Sequence, residues 1–100
     1  MRKIEQQMLD AIAQKRNWRS GNTQVTTVNL SCGGTRSEIY LHGNHIANVW
    51  ASADNPIPLL AVNRDTLASW PTPTTKSRLR ALGANVYTKN HTTYLDEVAV

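Results

Sequence analysis

The sequence predicts an α+β fold, in which an N-terminal amphipathic helix and a second short helix pack on an antiparallel β-sheet of about five to six strands. Three observations support this fold class. A segment with helical spacing of apolar residues opens the chain, runs of β-branched residues separated by turn signals follow it, and a second helical segment precedes the last two runs. The chain has 100 residues, so we expect one domain, residues 1–100, with one hydrophobic core.

The first helix is predicted over residues 2–16. Its apolar side chains recur at helical spacing, at Ile4, Met8, Ala11 and Ile12. Asn17 and Gly21 can end the helix. Trp18 lies between them and is predicted to fill the core rather than stack on a ligand, because most large aromatic side chains lie in cores.

A central β-hairpin is predicted over residues 36–52. Gly43-Asn44 is a two-residue turn signal between two β-rich runs, and this turn would place His42 opposite His45. One face would then carry Ile39, Leu41, Ile46 and Trp50, and the other Tyr40, Ala47 and Val49. Since neither face is wholly polar, we expect a helix to cover at least one of them.

Three further segments complete the predicted sheet. Residues 23–30 form a strand that a turn at Ser31-Cys32-Gly33-Gly34 ends, and residues 57–62 form another strand after a turn at Asp54-Asn55-Pro56. Residues 85–95 place two β-type runs around a turn at Lys89-Asn90.

The second helix is predicted to be only two to three turns long. Residues 63–73 before it look irregular, and Thr74 or Thr75 is the expected N-cap. Leu79 and Leu82 supply its apolar positions. Gly83 is expected to end it in the left-handed conformation.

The chain is basic, with eleven Lys and Arg against seven Asp and Glu, a net charge of +4 and a pI near 9.6. This balance favours an anionic partner. On the second helix, Lys76 and Arg80 lie one turn apart and Arg78 borders the other side of its apolar stripe. With these cations, an aromatic residue before the helix and a lysine at the last turn, we predict a partner-binding surface formed by Trp70, Lys76, Arg78, Arg80 and Lys89. An ordinary solvated helix accounts for the same charges equally well.

No catalytic or cofactor signature stands out in the sequence. The glycines after Cys32 lack the Lys-Ser/Thr ending of a phosphate loop, and the thiol itself lacks an activating sequence context. We therefore expect no enzyme activity and no cofactor. His42 and His45, with Cys32 or His91, could supply metal ligands, but the hairpin turn itself accounts for polar residues there and no metal site is predicted.

The sequence also bears on cellular location. The lone Cys32 cannot form an internal disulfide, and the first residues contain no apolar core of a signal peptide. No stretch approaches the ~18 apolar residues of a membrane span. We expect a cytoplasmic protein that does not bind membranes.

Three segments resemble small accessory proteins encoded by tailed bacteriophages and prophages. They are IEQQMLDAI leading to NWRSGNTQV, then IYLHGNHIA, then TTKSRLRAL, and together they cover about a third of the chain. The resemblance implies an early or accessory phage product in the bacterial cytoplasm and carries no active-site residues. Small phage proteins often bind and inhibit host machines, including restriction and CRISPR systems. The net positive charge does not fit the acidic DNA mimics among such inhibitors.

Two functions follow. The first is non-enzymatic binding to a host protein or nucleoprotein complex that handles nucleic acid or provides defence, with the effect of inhibiting or redirecting it. The alternative is direct binding of DNA or RNA by the basic helix and the aromatic residues. The sequence does not identify the partner or the oligomeric state.

Overall fold

A computed structural model describes residues 2–31, 33–52 and 59–100 and confirms the α+β class. The helices and strands in chain order are α1 (Lys3–Ala13), β1 (Trp18–Ser20), β2 (Thr23–Asn29), β3 (Thr35–Leu41), β4 (Asn44–Ala51), β5 (Leu59–Val62), α2 (Arg64–Ser69), α3 (Pro73–Ala81), β6 (Val86–Lys89), β7 (Thr92–Leu95) and β8 (Val98–Ala99). The predictions for Cys32, for the turn at Asp54-Asn55-Pro56 and for the start of the following strand at Ile57 lie outside the described residues.

The larger sheet has five antiparallel strands in the order β1-β2-β3-β4-β5. The four predicted strands of this region are present in their predicted order. The short strand β1 is additional, and it pairs Trp18 with Val25. Trp18 is half-buried and packs against the core, as predicted.

The turn of the central hairpin lies one residue earlier than predicted. His42 and Gly43 both have positive φ, 52° and 79°, so they are the two central residues of a turn that requires left-handed backbone at both positions. Tyr40 therefore faces His45, and the predicted pairing of His42 with His45 is wrong.

A register shift between Ile39 and Tyr40 also changes which side chains share a face. It brings Ala47 and Val49 to the buried face with Ile39, whereas Trp50 lies opposite Arg36 on the other face. The predicted faces were therefore wrong for these three residues of β4, because one extra residue in a strand reverses the alternation beyond it.

The segment predicted to be irregular contains α2. Asn63 caps this helix, since its side-chain oxygen accepts a hydrogen bond from the N–H of Thr66 at 3.2 Å. Leu67 is its one buried residue. A helix of six residues with a single apolar anchor leaves almost no periodic signal in the sequence.

The second predicted helix is α3, and its cap is Thr72 rather than Thr74 or Thr75. The Thr72 hydroxyl accepts a hydrogen bond from the N–H of Thr75 at 3.1 Å, and Pro73 takes the first helical position, where no intrahelical N–H bond is lost. Gly83 ends the helix at φ 102°, as predicted. The N–H of Ala84 then donates to Leu79 O at 2.9 Å, which completes a Schellman cap.

The last strands form a separate sheet in the order β6-β7-β8. The turn between β6 and β7 is Asn90-His91, with φ of 51° and 65°, one residue later than predicted. A second two-residue turn at Asp96-Glu97 leads into β8, which the polar end of the sequence does not suggest.

One hydrophobic cluster joins both sheets and all three helices. Its buried residues are Met8, Ala11, Val25, Ile39, Leu41, Ile46, Ala47, Val49, Leu67, Leu79, Val86 and Leu95. The strand residues among them from the larger sheet lie on one face, against which α1, α2 and α3 pack. The core positions α3 between this sheet and β6, and this placement exposes the outer side of α3.

Candidate functional site

The exposed side of α3 carries two of the predicted cations. Lys76 and Arg80 lie four residues apart and therefore on one stripe of the helix. The Lys76 ammonium donates to the Thr88 hydroxyl on β6, and the Arg80 Nε donates to Val86 O at 2.8 Å. Both side chains thus run from α3 towards β6.

Lys89 adds a third cation on the opposite face of β6. It follows Thr88 in β6, which is an edge strand, and its exposed side chain points to the other face of that strand. We call Lys76, Arg80 and Lys89 the basic cluster. The ion pairs among the described residues are Arg36 with Glu38 and Arg78 with Glu5, so none of the three has a carboxylate partner there.

Arg78 does not belong to this surface. It is 3% exposed, and its Nη1 lies 2.7 Å from Glu5 Oε2 on α1, while its Nε donates to Thr23 Oγ1 on β2 at 3.0 Å. The prediction that Arg78 forms part of an exposed basic surface is wrong. The residue lies on the inner side of α3 beside Leu79, where its long side chain reaches the buried carboxylate of Glu5.

Glu5 completes this internal network. Its carboxylate also accepts a hydrogen bond from the Ser77 hydroxyl at 2.5 Å. Burial by itself raises the pKa of Glu5, but the hydrogen bonds from Ser77 and Arg78 outweigh burial and hold the pKa below its ordinary value. The carboxylate is therefore charged at neutral pH, and the ion pair connects α1 to α3.

Trp70 is exposed, at 57%, at the C-terminal end of α2. Its side chain helps to form a cleft of about 310 Å³, lined by Leu41, His42, Asn44, Ile46, Thr66, Trp70, Thr72 and Thr75. We call this the Trp70 cleft. Its described lining is mainly apolar and contains no Lys, Arg, Asp or Glu, so it suits an uncharged side chain or ring.

Two tyrosines form a second aromatic feature, which the sequence analysis missed. The rings of Tyr87 and Tyr94 stack with centroids 5.2 Å apart and planes inclined by 15°. They lie on the same face of the smaller sheet as Lys89, because Tyr87 pairs with Tyr94 and Lys89 with Thr92. A turn placed at Asn90-His91 from sequence would have revealed the pair.

His45 has a structural role in this fold. Its two ring nitrogens lie 2.6 Å from Asn48 Oδ1 and 3.2 Å from Asn63 Nδ2, which links β4 to the cap of α2. His42 is exposed at the hairpin turn. Across the residues that the structure describes, no group of three or more His, Cys, Asp or Glu side chains is placed to hold a metal ion.

Comparison with known proteins relates this chain to a family of phage proteins. A family model described as Kyanoviridae Gp96 protein matches residues 1–99. The chain belongs to this phage protein family. No curated protein and no solved structure matches it.

Membership of the Kyanoviridae Gp96 family confirms the resemblance to phage accessory proteins. The described part of the chain has no helix with both the length and the apolar character needed to cross a membrane. Partner binding by Trp70, Lys76, Arg80 and Lys89 stays a prediction.

Proposed function

We propose that this phage protein acts without catalysis, in the cytoplasm of the host bacterium, by binding a host complex that handles nucleic acid or provides defence. Binding inhibits or redirects the complex, as an anti-restriction or anti-CRISPR protein does. The observation that carries this proposal is the basic cluster, three cations on two adjacent elements without a carboxylate partner in the described residues. Such a surface complements the acidic patches of a partner and steers its approach.

Trp70 supports a protein as the partner. Tryptophan and arginine are the residue types that most often dominate the energy of protein interfaces, and more than half of the Trp70 surface is exposed. Pro71 and Pro73 flank the α3 cap and fix two backbone φ angles, so the segment loses little entropy when a partner orders it.

The test is capture of host proteins from lysate with the tagged chain, followed by a charge reversal in the basic cluster. Lys76→Glu with Lys89→Glu is the better choice, because Arg80 holds the backbone of β6 at Val86 O, whereas Lys76 contacts only the exposed Thr88 side chain. Each reversal replaces a positive charge by a negative one and lowers the net charge by two, so the net charge falls from +4 to 0. We expect the affinity for the captured partner to fall about tenfold or more, since attraction becomes repulsion.

A matched control is Lys3→Glu with Lys15→Glu. It makes the same change in net charge at two exposed lysines outside the basic cluster. Equal losses of affinity in both double variants would show that only the overall charge matters. Full affinity in a folded Lys76→Glu, Lys89→Glu variant would show that the basic cluster is not part of the interface. Circular dichroism on the same preparations checks the fold.

A second function, direct binding of single-stranded nucleic acid, is favoured by the stacked tyrosines beside Lys89. Bases stack on exposed aromatic rings while lysines contact the phosphates. This function predicts that binding to an oligonucleotide weakens steeply with salt and that Lys89→Ala lowers the salt slope by about one. A Tyr94→Ala variant should weaken the same binding. Unchanged affinity between low and high salt would exclude it.

A further inference from the structure

A row of side chains connects the Trp70 cleft to the basic cluster. Thr72, the N-cap of α3, lines the cleft, and Lys76 and Arg80 follow it on the helix after four and eight residues. With a rise of about 1.5 Å per residue, Lys76 lies ~6 Å and Arg80 ~12 Å along the helix from Thr72. The row therefore begins at an apolar cleft and continues over two cations.

These intervals match the spacing of an extended peptide. Alternate side chains of a strand point to the same side, and they are separated by about 6.7 Å, twice the rise per residue. If one residue of the peptide inserts its side chain into the Trp70 cleft, the second residue along the peptide lies near Lys76 and the fourth near Arg80. The intervening residues point away from α3.

We infer that the partner presents an extended segment with an apolar anchor and with carboxylates at the second and fourth positions from it. This inference rests on the proposed function and specifies its partner. The anchor enters the Trp70 cleft, whose lining includes Leu41 and Ile46 and excludes charged residues. The carboxylates pair with Lys76 and Arg80, which have no acidic partner in the described residues.

A second copy of this chain is a poor occupant. Its acidic residues are Glu5, Asp10, Glu38, Asp54, Asp65, Asp96 and Glu97, and no two of them are two positions apart. The required spacing therefore does not occur in the chain. Nucleic acid is also disfavoured at this cleft, because the stacked tyrosines lie on the smaller sheet while an apolar lining favours an aliphatic or aromatic side chain.

The experiment uses synthetic peptides and the unmodified protein. The probes are the blocked pentapeptides LSESE and ESESL, which carry the proposed pattern in the two chain directions. Binding is measured from the indole N–H signals of the three tryptophans in NMR titrations, which separate the Trp70 cleft from the rest of the molecule. We expect one of the two peptides to shift the Trp70 signal in a saturable way.

Three control peptides test the parts of the pattern. Replacing Leu by Ser should weaken binding about tenfold or more, because the apolar anchor is lost. Replacing both Glu by Lys should weaken it about fivefold or more. LESES and SESEL have the same composition, but their carboxylates lie at the first and third positions from Leu. Side chains at these positions point away from α3, so LESES should bind about threefold more weakly than LSESE, and SESEL about threefold more weakly than ESESL.

Thr66→Phe fills the cleft from α2, and Ala68→Phe is its control on the same helix outside the cleft lining. Only Thr66→Phe should abolish peptide binding. The inference is overturned if neither peptide shifts the Trp70 signal, if the Lys peptides bind as well as the Glu peptides, or if a single-stranded oligonucleotide displaces them at equal concentration. Capture of a host partner by a folded Thr66→Phe variant with full affinity overturns it too, while leaving the proposed function intact. Failure to capture any partner counts against the proposed function alone.

Discussion

At the scale of single residues, Arg78 shows how much the burial of neighbouring cations on one helix can differ. Lys76 and Arg80 face outward, whereas Arg78 is buried against Glu5 and Thr23. A buried ion pair stabilises little in comparison with apolar residues, because both charges lose their hydration, but removing one partner leaves the other charge uncompensated. The pair therefore matters most for how α1 and α3 align.

Glu5→Gln should lower the free energy of unfolding by about 3–5 kcal/mol at neutral pH, because it leaves the Arg78 guanidinium buried without a counter-charge. Urea titration measures this change. Asp10→Asn is the control, since it removes the same charge from an exposed position of α1 and should change stability by no more than about 0.5 kcal/mol. Equal effects of the two substitutions would contradict the role given to the buried pair.

The same pair predicts a pH dependence. The folded pKa of Glu5 lies below its ordinary value, so its contribution is fully present above the unfolded pKa of about 4.3 and is lost as pH falls through the folded pKa. The difference in unfolding free energy between the parent and Glu5→Gln should therefore narrow below about pH 4. A difference that stays constant down to pH 2 would contradict this assignment.

At the scale of elements, the ends of α3 position the candidate site. The Thr72 cap and the Gly83 terminator fix where the helix begins and ends. The Thr72 hydroxyl also lies 2.8 Å from the Thr75 hydroxyl, which is buried at the edge of the Trp70 cleft. The cap thus lies where the cleft meets the start of α3.

Thr72→Ala should lower the free energy of unfolding by about 1–2 kcal/mol, because the Thr75 N–H loses its acceptor. Thr74→Ala is the matched control, since the Thr74 side chain makes no hydrogen bond to another described residue and alanine favours a helix. Thermal unfolding followed by circular dichroism compares the two. A larger loss in Thr74→Ala would place the cap where the sequence alone suggested it.

Elements with strong local signals were predictable, and short ones were not. The amphipathic pattern found α1, and the β-branched runs found β2, β3 and β4. Six residues around the single buried Leu67 gave no such pattern, so α2 was missed. Both hairpin turns were misplaced by one residue. In each turn a histidine, His42 or His91, adopts the left-handed backbone conformation, which non-glycine residues rarely do.

At the scale of the whole molecule, the two sheets share one core. Val86 and Leu95 from the smaller sheet are buried in the cluster that contains Ile39 and Leu79. The smaller sheet therefore holds α3 on the larger one. The prediction of a single domain requires the two sheets to unfold together.

Leu95→Ala tests this cooperativity. It should lower the free energy of unfolding by about 2–5 kcal/mol, and the tryptophan fluorescence transition should shift equally, although all three tryptophans lie outside the smaller sheet. Val98→Ala is the control, because Val98 is 57% exposed in the same sheet. An unchanged fluorescence transition, with faster amide exchange in β6 and β7 only, would indicate two independent units.

The sequence by itself determined the fold class, the first helix, the central strands and the excess of positive charge, because these depend on local periodicity and composition. Only the tertiary structure decided that Arg78 is buried, that Lys76 and Arg80 contact β6, and that Trp70 borders a cleft at the start of α3. Helical spacing specifies which side chains share a face. The contacts that bury one face of α3 come mainly from α1 and β2, which are distant in sequence and meet α3 only in the folded core.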